Sequence, residues 1–355
     1  MITVFTPSFA DEANTNAQNL TVKEVVARLS PEKFRVMMFA EGALDERIAA
    51  RPNTGVLKWR SHGNTIATLA RFLSNVPDIY FFPREGPLDT ALLKVRKHGK
   101  LPTAVVTYIV SGGLGPGSIR PSMLRNITEA DTVIGNSQCV SEVVERCTGA
   151  VVSTIYDGVD RRHYYPPARR KSGDATVVLY AGSFWPWKRV HVVVEQAGLW
   201  PAVQFRIAGK GQDEARCRQL AQDLGCKNVS FLGHLPQSQL GEEMRRADVF
   251  LFPSTMEGHP QVLAQAAACG LPCVAMNYYR PEFVRDGETG LLANSDRELA
   301  ENLRRLLTSP NLRTAMSAAA VAHMRQFDWE HIAAQWAEVF EGVAMLRRSG
   351  WRSGF

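Results

Sequence analysis

Runs of consecutive apolar residues alternate with amphipathic stretches along nearly the whole chain. Ile2–Phe5, Arg35–Phe39, Ile79–Phe82, Thr103–Val110, Thr132–Ile134 and Val151–Tyr156 read as strands buried on both faces. Between the first two, Val22, Val25, Val26 and Leu29 share one stripe of a helix that Ser30-Pro31 closes. The rhythm stops at Tyr165–Asp174, where two prolines precede basic and small polar residues, the pattern of a linker. It resumes with strands at Thr176–Ala181, Gln204–Ala208, Val229–Leu232, Val249–Phe252 and Cys273–Met276, separated by helical stretches such as Gln212–Leu224 and Pro236–Arg246. Strand and helix alternating twice over predicts an α/β chain with two Rossmann-like, doubly wound parallel sheets. The expected division is 1–165, a linker over 166–175, a second domain over 176–326, and a last segment over 327–355. Ligands of such sheets bind at the carboxyl ends of the strands, so the site is expected in a cleft where the two domains face each other.

Composition narrows the class. A length of 355 residues suits two domains of about 150 each, and 45% apolar with 21% charged residues is ordinary globular usage. No apolar run approaches the roughly 18 residues of a membrane span. Met1–Pro7 has no basic region followed by an apolar run, so it reads as a first strand and not as a leader. Cys139, Cys147, Cys217, Cys226, Cys269 and Cys273 include no C-x-x-C spacing, which suggests thiols in a reducing cytoplasm and neither a disulfide framework nor a zinc site. A net charge of +6 favours anionic ligands but is too evenly spread to imply nucleic acid. The cluster Lys94, Arg96, Lys97, His98 and Lys100 reads as a solvated helix face, or as a weak peripheral contact with an anionic membrane or acceptor.

The richest chemistry lies in Phe252–Pro272. A strand ends near Phe252, a tight turn carries Glu257 and Gly258, and a buried helix of small apolar residues is expected to begin at Pro260 and to stop at Gly270 and Pro272. The first-turn amides of that helix, from His259, Gln261 and Val262, suit phosphate oxygens. Glu257 would not favour a phosphate and is better used accepting hydrogen bonds from sugar hydroxyls, although a helix cap is its plainer use.

This segment resembles the signature of glycosyltransferase family 4, whose members share the GT-B fold. Tyr180–Lys188, Ile207–Gly211, Phe231–Pro236, Ala247–Ser254, Pro281–Leu292 and the helix opened by Phe327-Asp328-Trp329 extend the similarity from about residue 130 to 345. The resemblance implies two domains facing across a cleft, with the C-terminal helix crossing back to the N-terminal domain. It implies a retaining transferase that moves a sugar from a UDP- or GDP-sugar to a sugar, lipid-linked or small-molecule acceptor, with no metal or other cofactor. Glu257 and Lys188 would be the catalytic pair, Glu257 at the donor sugar and Lys188 at the leaving diphosphate. Gly182, Ser183, Arg189, Gly209, Lys210, Gly211, Gly258, His259, Pro260, Gln261, Val262, Leu263 and Gln265 would hold the donor.

Two positions depart from that pattern. Gln265 stands where the family carries a second Glu, and Ser183 where it often carries Arg, a loss for which Arg189 would compensate. The N-terminal half matches less well, and its acceptor-side candidates are Asp11, Glu12, Asn14, Asn16, Arg84, Tyr108, Ser111 and Gly112, with Glu85 beside them. The glycine-rich run 112–118 lacks the lysine of a nucleotide-binding P-loop, Ser137 reads as a helix cap, and no Asp-x-Asp or H-E-x-x-H occurs. Trp185 and Trp187 suit stacking on a base or sugar as well as packing. The departures leave two other readings, a sugar-nucleotide isomerising or pseudo-glycosyltransferase on the same fold, and an inactive binding homologue.

Overall fold

The computed structural model of the protein describes residues 1–12, 17–58, 64–99, 101–110, 119–168 and 176–349. Asn14, Asn16, Ser111, Gly112, Lys100 and residues 169–175 of the expected linker lie outside the described residues. The chain forms two compact units, Met1–Asp157 with Trp329–Phe355, and Gly158–Asp328. The first boundary thus falls earlier than the prolines suggested. Val159 donates its amide to the Phe327 carbonyl (2.9 Å), and Arg161 bonds Asp328 and the Met324 carbonyl, so the chain joins the second unit directly after Asp157.

The first unit is a parallel sheet of β1 (Ile2–Phe9), β2 (Phe34–Ala40), β3 (Thr54–Lys58), β4 (Ile79–Phe81), β5 (Ala104–Ile109), β6 (Thr132–Gly135) and β7 (Val152–Thr154), in the order β3-β2-β1-β4-β5-β6-β7. Alternate residues serve opposite faces. Val4, Val36, Ile79 and Val106 pack with Val22, Val25 and Val26 of the helix Ala17–Arg28 and with Trp336 and Phe340 of the final helix Trp329–Arg348. Phe5, Tyr80 and Val105 pack on the other face with Leu92 and Leu93. The final helix therefore belongs to the first unit, as the resemblance implied.

The second unit is likewise parallel: β8 (Val177–Ala181), β9 (Gln204–Ala208), β10 (Val229–Gly233), β11 (Val249–Phe252), β12 (Cys273–Met276) and β13 (Gly290–Ala293), in the order β10-β9-β8-β11-β12-β13. Both sheets are Rossmann-like and doubly wound. Each reverses strand order beside its first strand, at β1/β4 and at β8/β11, which is where such sheets leave a crevice at the strands' carboxyl ends. The six cysteines are free thiols, and no helix among the described residues is long and apolar enough to cross a membrane.

Candidate active site

Three loops at the carboxyl ends of β8, β9 and β10 are knitted together by backbone bonds. Gly182 donates to the Ala208 carbonyl (3.0 Å), Phe184 to Lys210 (2.9 Å) and Gly209 to Gly233 (2.7 Å). Glycine is required at this approach. A Cβ on Gly209, whose φ is +134°, would lie 1.8 Å from the Gly182 carbonyl oxygen, and one on Gly211 would meet the Phe184 amide at 2.7 Å.

Against these loops stands the helix Gln261–Ala268. Pro260 is its N-cap residue, one position earlier in role than the sequence suggested, and the first-turn amides of Gln261 and Val262 face no intrahelical carbonyl. The helix closes on Gly270 at φ +65°, with Leu271 donating to Ala266 and Gly270 to Ala267, a Schellman end. Loops and helix enclose a cavity of about 430 Å³. It gathers Gly182, Ser183, Gly209, Lys210, Gln261, Val262 and Gln265 of the sequence candidates. It also takes in His234, Leu235 and Leu240, which sequence reasoning did not single out. The Gln261 amide nitrogen is buried and has no hydrogen-bond partner among the described residues.

Lys188 ends a single 3-10 turn after β8, and its Nζ lies 2.5 Å from Oε1 of Glu257. The Trp187 carbonyl accepts from the Thr255 amide (2.9 Å), so the loops bearing the two charges are fixed to each other. Lys188 also sits 5.3 Å from the ring centre of Phe252, which stacks on Tyr180. The Tyr180 hydroxyl donates to the Ser183 carbonyl at the cavity's rim (3.2 Å). Burial first, then the Glu257 charge, pushes the phenols of Tyr180 and Tyr279 well above their ordinary value. Tyr279 carries a buried hydroxyl with no partner among the described residues. Trp185 and Trp187 stack on each other, 5.5 Å between centres, and stay exposed.

Other donor candidates are placed differently. The His259 imidazole is fully buried, 4.0 Å from the Phe283 ring centre and 3.8 Å from a Glu282 oxygen, so the fold uses this side chain for packing. Leu263 is core. Arg189 adopts a left-handed conformation at φ +53°, its guanidinium bonds Asp296, and it is not among the residues that line the cavity. Gly211 and Gly258 lie in the flanking turns without lining the cavity.

The first unit has its own cavity, about 520 Å³, lined by Arg84, Glu85 and Tyr108 of the acceptor-side candidates and by Gln18, Arg120 and Asn126. Tyr108 contributes only its ring. Its hydroxyl donates to buried Asp157 (2.8 Å), which also accepts from Thr21 and Asn136. Asp11 is withdrawn altogether. Its carboxylate accepts the Glu41 and Gly42 amides and its carbonyl accepts buried Lys23 (2.8 Å), so it ties the turn after β2. Glu12 is exposed, its amide bonded to Ala43. In the basic cluster, Arg96 pairs with Asp131 and Lys97 with Glu129 (2.7 Å), leaving Lys94 and His98 exposed. Among the described residues no group of three His, Cys, Asp or Glu is placed to hold a metal ion.

Comparison with known proteins agrees with this geometry. The D-inositol 3-phosphate glycosyltransferase of Streptomyces bingchenggensis is 30% identical over 248 residues, 62% of this chain and 54% of that one. That of Thermomonospora curvata is 29% identical over 275 residues, 66% and 64%. The chain thus spans about half to two thirds of the length of these curated relatives. In fold it matches sucrose-phosphate synthase from Thermosynechococcus elongatus (TM-score 0.78, 19% identity, 97% of this chain and 99% of that one). It also matches Anabaena HepE, crystallised with UDP and glucose (TM-score 0.77, 19% identity, 96% and 100%). Residues 164–323, a little under half of the chain, match the family model described as glycosyl transferases group 1, and the fold is that of the GT-B structures it resembles.

Proposed function

We propose that the protein is a retaining, metal-independent glycosyltransferase that takes its sugar from a nucleoside-diphosphate sugar. The observation that carries the reading is the glycine-walled cavity at the start of the 261–268 helix, in the same unit as the Lys188–Glu257 pair. The glycines admit a ligand close to backbone, the Gln261 and Val262 amides suit an anion, and Lys210 lines the same cavity. The nucleoside would occupy the cavity, with Gln265 offering its carbonyl oxygen to a ribose hydroxyl and the diphosphate against the start of the 261–268 helix. As the glycosidic bond breaks, the diphosphate gains charge, and Lys188 together with those amides stabilises that charge more in the transition state than in the ground state. Glu257 accepts hydrogen bonds from the donor sugar's hydroxyls. Same-face transfer, with a donor phosphate oxygen receiving the acceptor proton, leaves no separate carboxylate base to be found. Anabaena HepE, crystallised with UDP, makes UDP the first nucleotide to test, and the D-inositol 3-phosphate glycosyltransferases make a polyol phosphate one acceptor class to test.

The test is incubation of the chain with UDP- and GDP-sugars, with and without a chelator, following nucleotide release and the anomeric configuration of any product by NMR. Transfer with retention, indifferent to chelation, supports the reading. Inversion or a chelator-sensitive rate refutes its mechanistic part. Conversion of the nucleotide sugar without transfer supports the isomerising alternative.

A further inference from the structure

Tyr279 carries a hydroxyl that the fold leaves unused. The residue is 3% exposed, and among the described residues its phenol oxygen has no hydrogen-bond partner. Native folds pair nearly all buried polar groups, so an orphan of this kind calls for a ligand or for a second arrangement of its neighbours. Its backbone is fixed. Asn277 donates to the Ala293 carbonyl (2.8 Å) and Arg280 to the Asn277 carbonyl (3.0 Å), which closes the turn that follows β12. Strand order brings that turn beside the Lys188–Glu257 pair. β8, β11 and β12 are neighbours in that order, with Tyr180 near the end of β8, Glu257 in the turn after β11 and Tyr279 in the turn after β12. Two phenols therefore flank the Glu257 turn, one from each side, and Glu257 is the charge that acts most strongly on both. The Tyr180 hydroxyl donates to the Ser183 carbonyl (3.2 Å). That of Tyr279 is not engaged, and burial and then the Glu257 charge hold it protonated, so it has a hydrogen to give.

We propose that Tyr279 is a positioning residue for Glu257: when a donor diphosphate draws Lys188 away, the Tyr279 hydroxyl donates to the Glu257 carboxylate in its place. This rests on the transferase reading, because it needs an anion that competes for Lys188. Without a diphosphate, Glu257 is held by Lys188 at 2.5 Å, and its side chain is 11% exposed. A carboxylate so enclosed cannot lose its cation without another donor except at a desolvation cost. A phenol supplies that donor without adding a charge that would oppose Lys188. It fixes one carboxylate oxygen and leaves the other to accept from the sugar's hydroxyls. No proton changes owner, since the hydrogen stays on the phenol oxygen throughout.

The test is a double-mutant cycle on the full chain. UDP is titrated calorimetrically into the wild type, Tyr279→Phe, Glu257→Gln and the double variant, and urea unfolding is followed for each. Phenylalanine keeps the ring, so Tyr279→Phe should unfold at the wild-type urea concentration or slightly above it, because the hydroxyl it removes is unpaired. Its UDP affinity should nonetheless fall about three- to tenfold, since Glu257 then competes for Lys188 with no substitute partner. In the Glu257→Gln background the same change should leave UDP affinity unaltered, because the competing charge is gone. A merely structural tyrosine would not show that dependence on Glu257. The proposal falls if Tyr279→Phe binds UDP as the wild type does, or if it loses the same factor in both backgrounds. It falls too if the variant is clearly less stable, which would show that the fold itself uses the hydroxyl. Failure of UDP to bind the wild-type chain is a separate result: it counts against the transferase reading, and this proposal would go with it.

Discussion

Replacing Glu257 by Gln separates the sugar-binding and phosphate-binding halves of the proposed mechanism. Lys188 and Glu257 are 18% and 11% exposed and 2.5 Å apart. Unit charges about 4 Å apart attract by about 4 kcal/mol at an effective dielectric of 20, and partial exposure and the cost of desolvation reduce the net value to about 1–2 kcal/mol. Removing the carboxylate should therefore lower folding stability by about that amount. The same change releases Lys188 from a partner with which a diphosphate must compete. UDP should consequently bind at least as tightly as to the wild type, by up to about tenfold more if the whole of the released interaction is recovered. Transfer should nonetheless fall by about two orders of magnitude, because an amide accepts a sugar hydroxyl without the charge that strengthens the bond. Calorimetric titration with UDP, urea unfolding and a transfer assay read the three quantities independently. A folded variant with UDP affinity reduced tenfold would show that Glu257 organises the phosphate side, and the division of labour argued here would be wrong.

Four further outcomes are expected. Lys188→Ala should lower the transfer rate by about 10²–10³ and weaken UDP; an unchanged rate removes Lys188 from the mechanism. Gln265→Glu, at a cavity-lining position, should tighten UDP by about three- to tenfold in calorimetry, since a charged acceptor replaces a neutral one. Gly209→Ala should cost about 3 kcal/mol or more in urea unfolding, because its Cβ would collide with the Gly182 carbonyl; a near-native variant would mean that the knitted loops yield easily. His323 donates from Nε2 to the Glu282 carbonyl (2.7 Å) and accepts from Gln326 at Nδ1 (2.8 Å), and burial holds its pKa below 6.5. Below pH 6.5 the unfolded chain thus takes up this proton more readily than the folded one, and stability is lost as pH falls through the folded value. The wild type should lose more Tm between pH 7 and 5 than His323→Gln, and parallel losses would refute the assignment.

The sheets were legible because their strands are buried on both faces and read as apolar runs. β3 and β13 were missed for the converse reason. Thr54–Lys58 and Gly290–Ala293 are short edge strands, each with a glycine, and β3 is only half-buried. The 261–268 helix was visible from its boundaries, a proline before it and a Gly-Leu-Pro after it, and the glycines at strand ends marked the cavity.

What sequence did not disclose is how each polar side chain is spent. Asp11, Tyr108, His259 and Arg189 all stand near the carboxyl ends of strands, as functional residues do, yet their polar atoms or rings are engaged by the fold. The partners that engage them are distant in sequence. Asp157 collects donors 136, 49 and 21 residues away, and Arg189 finds its acid 107 residues on. Local pattern reports residue type and face, whereas satisfaction of a hydrogen bond depends on the tertiary neighbour.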